Sequence, residues 1–149
     1  MDAPILICYD DSVGARRAIE AAATLFPASR AVVLDVAPVL TSEESYFELS
    51  PFAPNFEELN RQSALEHASL GAQLAQHAGL TAEPRADVSA RTWDGVVEVA
   101  EEIGAEVIVI GSRGLKGVQA LLKHSLAHDV AEHAGRPVLI VPPETIKHD

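Results

Sequence analysis

Val107-Ile108-Val109-Ile110-Gly111-Ser112-Arg113-Gly114 is the stretch that decides the fold. Four successive β-branched aliphatic residues show no polar alternation, so both faces of a strand over Glu106–Ile110 must be buried. Such a strand sits inside a sheet that is covered by helices on both sides. The glycines behind it make a turn, and the chain returns through a helix over Ser125–Ala134 that carries Leu126 and Val130. Gly135 and Pro137 punctuate that helix, and Val138–Val141 forms a last strand.

The same alternation extends toward the N-terminus. A helix runs from Thr92, as its cap, through Ile103; Val96, Val99, Ala100 and Ile103 face inward, Asp94 favours the first turn, and Gly104 closes it. A strand over Thr81–Val88 contains Pro84, which marks an edge or a frayed start. Before it, Glu57–Ala78 reads as a long helix with Ala64, Ala68, Gly71 and Ala75 on one stripe, Leu70 and Leu74 beside it, and Gly79 as C-cap. Ala31–Ala37 and Ile5–Tyr9 are the first two strands in reverse. Between them, Ala15, Ala18, Ile19, Ala22 and Phe26 recur at helical spacing up to Pro27. Asp10, Asp11 and Ser12 supply the intervening turn and cap.

The order is βαβαβαβαβ. It specifies an α/β fold, a five-stranded parallel sheet with right-handed crossovers and helices on both faces. Ligands of such sheets bind outside the C-terminal strand ends, where the strand order reverses. The strands ending at Tyr9 and Ile110 are the candidates to flank that point. A chain of 149 residues suits one domain, 1–149, and buries roughly 70% of its unfolded surface.

Charge narrows the function. The net charge is −11, which repels nucleic acid and anionic membranes. No apolar run approaches the ~20 residues of a membrane span, and no signal peptide is evident. Cys8, the single cysteine, reads as a small core hydrophobe in a reducing cytoplasm. Yet none of the 22 acidic residues lies between Val107 and His128, while Arg113, Lys116 and Lys123 do. A glycine loop that follows a buried strand and precedes the start of a helix at Ser125 offers backbone N–H groups and the helix dipole to an anion. The acid-free window therefore points to a phosphate-bearing ligand. The loop is neither a Walker A sequence nor a Gly-x-Gly-x-x-Gly fingerprint.

Ile5–Ser12, Val107–Gly114 and Arg136–Pro142 together resemble the universal stress protein family over nearly the whole chain. The family's ATP-binding members carry Gly, two residues, Gly, nine residues, then Gly-Ser/Thr. Gly111, Gly114 and Ser125 match, and His124 stands at the third glycine. The resemblance implies a Rossmann-like nucleotide-binding fold of the adenine nucleotide alpha hydrolase type. It also implies ATP, AMP or ADP as ligand, with Mg, in a stress-response or signalling role. By the same analogy Asp10, at the end of the first strand, meets the adenosine, and the backbone of Val36, at the end of the second strand, meets adenine. Gly111, Arg113 and Gly114 line the phosphates with Ser125 and Leu126, and the His124 ring can donate to a phosphate. Asp11 stands where many relatives have glycine, and its plain reading is a helix N-cap. A homodimer through the edge strand Val138–Val141 is the implied assembly. The competing reading, motivated by His124, is a nucleotide-free dimeric adaptor of the same family; slow ATP hydrolysis ranks last.

Other features have plain readings. His124 and His128 have the spacing of a helical metal pair near Asp129 and Glu132, but an exposed helix face accounts for them and no metal site is assigned. Asp10-Asp11 would suit a phosphate-accepting receiver, but Pro142-Pro143 stands where that fold wants lysine. Trp93 reads as a packed helix-start residue. The aromatic connection Tyr46–Phe56 reads equally as a lid or as a packed surface loop.

Overall fold

The computed structural model describes residues 3–39, 56–112 and 125–143. The elements are β1 (Ile5–Cys8), α1 (Val13–Leu25), β2 (Arg30–Pro38), α2 (Phe56–His77), β3 (Thr81–Ser89), α3 (Thr92–Ile103), β4 (Ile108–Gly111), α4 (Leu126–His133) and β5 (Val138–Val141). All strand pairs are parallel, in the order β3-β2-β1-β4-β5. This is the five-stranded α/β architecture expected from the sequence. The order reverses between β1 and β4, which pair at Leu6–Ile108 and Ile7–Val109. Among the described residues no helix is long and apolar enough to cross a membrane.

The period-two geometry of a strand sends neighbours to opposite faces, and here both faces are covered. Ile5, Ile7, Val33 and Val109 pack with Ala15, Ala18 and Ile19 of α1 and Ala72 and Ala75 of α2. Leu6, Val32, Leu34, Ile108 and Ile110 pack with Val96, Val99 and Ala100 of α3 and Ala127 and Val130 of α4. Alanine dominates the inward faces of α1 and α2, so these helices approach the sheet closely.

Pro84 is accommodated because β3 is an outer strand. Gly79 and Gly104, with φ of 103° and 64°, follow α2 and α3 as the expected left-handed caps. Arg136 donates from Nη1 to the carbonyls of Ala100 (2.9 Å) and Ala105 (2.7 Å), tying the end of α3 to the start of β5.

Two local expectations are corrected, and one is confirmed in detail. Thr92 is the first helical residue of α3, and the N-cap is Arg91, whose side chain makes no capping bond. The stripe Ala64, Ala68, Gly71 and Ala75 is buried as read, and Leu70 and Leu74 beside it stand 48% and 43% exposed. Val36 is not terminal in its strand, which runs two residues further to Pro38 in register with β3. Of the aromatic connection, residues 46–55 lie outside the described residues and Phe56 opens α2.

Candidate functional site

β1 leaves the sheet after Tyr9, whose N–H still donates to Leu34 O at 2.8 Å. The chain then turns into α1 within three residues. Ser12 is the N-cap, its Oγ accepting from Ala15 N at 3.1 Å, so the capping role falls to Ser12 and not to Asp11. Asp10 closes the turn by accepting from Ser12 N at 3.1 Å. Asp11 has φ 65°, a left-handed conformation in which a Cβ crowds the following carbonyl oxygen. That φ explains why glycine suits this position. Here the carboxylate compensates by accepting from the Tyr9 hydroxyl (2.8 Å) and from Arg16 Nη2 (3.1 Å). These hydrogen bonds, the Tyr9 one first, hold its carboxyl below the usual range.

This turn forms one wall of a cleft of about 120 Å³ at the C-terminal ends of β1, β2 and β4. Asp10, Val36, Gly111 and Leu126 all line it, brought together from four separate elements or their borders. Thr92 and Val96 of α3 also line it. The cleft therefore lies where the strand order reverses, as an open α/β sheet requires.

Of the other residues implied by the resemblance, Ser125 is the N-cap of α4, its Oγ accepting from His128 N at 3.0 Å. Arg113, Gly114 and His124 lie outside the described residues. Gly111 has a different reason for being glycine from the one the loop suggested. It is the last residue of β4, and a Cβ built on it would lie 2.4 Å from the carbonyl oxygen of Gly14 in α1. The missing side chain makes room for a helix backbone.

Cys8, Thr92 and Val96 are cleft residues to which the sequence reading gave only structural roles. A strand-end position on the same face as an identified neighbour is the signal that finds Cys8. Its thiol is pushed up to about 12, first by burial and then by Asp10 and Asp35. At pH 8 a thiol of ordinary pKa is about a quarter ionised, and Cys8 only about one part in 10⁴. Iodoacetamide is expected to label Cys8 about 10³-fold more slowly than a free thiol; labelling within tenfold of the free rate would contradict the raised pKa.

Asp35 also borders the cleft. It accepts from or shares a proton with His67 Nδ1 at 2.9 Å, linking β2 to α2. Burial raises its pKa and outweighs the opposing hydrogen bond to His67. Trp93 stacks on His133, centroids 4.1 Å apart, with the Arg91 guanidinium 5.0 Å from the Trp93 ring, so it is a packed helix-start residue. His128 pairs with Glu132 at 3.3 Å beside Asp129.

Residues 2–142 match the family model described as the universal stress protein family. The chain belongs to the universal stress protein family. Universal stress protein G from Shigella flexneri is 50% identical over 48 residues, which are 32% of this chain and 33% of that protein. The chain thus spans about a third of the length of the curated relatives it matches. Among solved universal stress proteins, one in complex with cAMP shares 22% identity with a TM-score of 0.68, covering 93% of this chain and 96% of that one. Another, from Archaeoglobus fulgidus in complex with dAMP, shares 22% identity with a TM-score of 0.65, covering 93% and 97%. At these identities the likeness establishes the shared fold, and this universal stress protein has it over nearly its full length.

Proposed function

We propose that this universal stress protein binds an adenine nucleotide in the cleft between β1 and β4, in a cytoplasmic stress-response or signalling role. The observation that carries the reading is convergence. Asp10, Val36, Gly111 and Leu126, which the sequence alone matches to the family's contacts, line one cleft. The complexes of fold relatives with cAMP and dAMP support the same ligand class. In this reading Asp10 accepts from the ribose or base, and the Val36 backbone meets the edge of adenine. Phosphates extend toward Ser125, where α4 begins; Arg113, Gly114 and His124 are the further phosphate contacts that the family resemblance implies, with Mg accompanying ATP.

The cleft's volume of about 120 Å³ is small beside the roughly 300–1,000 Å³ of typical ligand pockets. It suits a base and leaves the phosphates to the glycine loop. Micromolar affinity requires about 8 kcal/mol, more than one such contact supplies, so base and phosphate contacts must act together. β5 is an outer strand, which supports pairing of two copies along Val138–Val141 as the mode of dimerisation.

Calorimetric titration with AMP, cAMP and ATP, with and without Mg²⁺, tests the ligand. Saturable heat that weakens at least tenfold in Asp10→Ala is expected; no heat up to millimolar nucleotide would overturn the reading. His124 at the third glycine position favours a second reading, a dimeric adaptor without nucleotide, and the same absence of heat would support it.

A further inference from the structure

We propose that Tyr9, Asp11 and Arg16 form a lock that positions Asp10 for its ligand, a role that rests on the nucleotide reading of the cleft. Three observations carry it. The turn between β1 and α1 passes through a left-handed residue that is not glycine, Asp11 at φ 65°. Such a conformation persists only where the surroundings over-determine it. Here one oxygen, Asp11 Oδ1, accepts both from Tyr9 Oη at 2.8 Å and from Arg16 Nη2 at 3.1 Å. The first donor precedes the turn at the end of β1, and the second follows it in the first turns of α1. The turn is thus held from both ends.

The donors differ in rigidity. Tyr9 is 2% exposed, and α2 lies against its ring at Gly71. Its hydroxyl is a fixed point, whereas Arg16 stands 55% exposed and swings more freely. Asp10 sits between Tyr9 and Asp11 and lines the cleft. Among the described residues its carboxylate accepts only from Ser12 N, inside the same turn. Rotation at Asp11 would carry Asp10 and the Ser12 cap with it. Glycine would reach this φ at less cost but would leave the turn free in the empty protein. Aspartate adds two hydrogen bonds, so less order has to be imposed when a ligand arrives.

The device acts through Asp10, and that fixes the test. In the ligand-free protein, ¹⁵N order parameters of Asp10, Asp11 and Ser12 are expected near the rigid value of about 0.85. They should fall in Tyr9→Phe and Asp11→Ala, and be retained in Asp11→Asn, which keeps the accepting oxygen and tolerates φ > 0. Calorimetry with AMP should show a loss of about five- to tenfold in Tyr9→Phe and in Asp11→Ala, and an affinity close to the parent's in Asp11→Asn. In an Asp10→Ala background, Tyr9→Phe should cost less than twofold more, because the residue it positions is gone. Full additivity in that cycle, or a turn as rigid in Tyr9→Phe as in the parent, overturns the lock while nucleotide binding stands. If the parent protein binds no AMP but the turn loosens as stated, the nucleotide reading falls and the lock stands as a conformational device.

Discussion

Gly111→Ala is expected to destabilise the protein by about 3 kcal/mol or more, lowering the thermal midpoint by about 6–12 °C. The added Cβ would stand 2.4 Å from Gly14 O and 2.6 Å from Gly14 C. Both are backbone atoms of α1, so no side chain can rotate away. The helix itself must retreat, and Ala15, Ala18, Ile19 and Ala22 lose contact with the sheet as it does. Overpacked cores typically cost about 1–3 kcal/mol, and a clash between two backbones lies at or above the top of that range. A loss of this size is a large share of the roughly 5–15 kcal/mol that holds a domain together. Urea or thermal denaturation measures it, and a midpoint within about 2 °C of the parent would show that α1 yields freely. Loss of nucleotide binding in this variant would not identify a phosphate contact, since the same substitution displaces α1.

Gly71→Ala is expected to cost about 2 kcal/mol net. Its Cβ would meet Cδ1 and Cγ of Tyr9 at 2.7 Å and Cγ1 of Val33 at 2.8 Å. Both partners are buried, Tyr9 at 2% and Val33 at 0% exposure. Alanine's better helix propensity returns about 1 kcal/mol, which offsets part of the strain. The cause is separable by a double-mutant cycle. Tyr9→Leu removes the ring that the added methyl group would strike, so the pair of substitutions should cost clearly less than the sum of the singles. Additivity would place the damage elsewhere in α2.

The sequence disclosed the fold well because its elements are written in local periodicity. The run Val107–Ile110 and the alanine spacing in α1 and α2 each hold their meaning within a few residues. The site was legible in part for the same reason: Ser125 announces itself as the start of a helix, and Asp10 as the residue after a buried strand. What was not legible depends on contacts between distant residues. Nothing near Gly111 says that Gly14 will lie against it, and nothing near Asp35 points to His67. Asp11 reads as a cap because its composition is that of a cap. Only the backbone shows that Ser12 has that task and that Asp11 turns the chain. Thr92 misleads in the same way, one residue from the true boundary.

The reversal of strand order has one more consequence. β1, α1, β2, α2 and β3 belong to one half of the chain, and α3, β4, α4 and β5 to the other. The seam between the halves in the sheet is the β1–β4 ladder, paired at two positions where β2 and β3 pair at nine. α1 crosses that seam to rest on Gly111. The cleft opens directly over it, taking Asp10 and Val36 from one half and Thr92, Gly111 and Leu126 from the other. A molecule seated there touches both halves at once. Its binding energy adds to the cohesion between them, in proportion to the logarithm of its concentration over its dissociation constant. Ligand level would then be recorded as how firmly the two halves of one sheet stay joined.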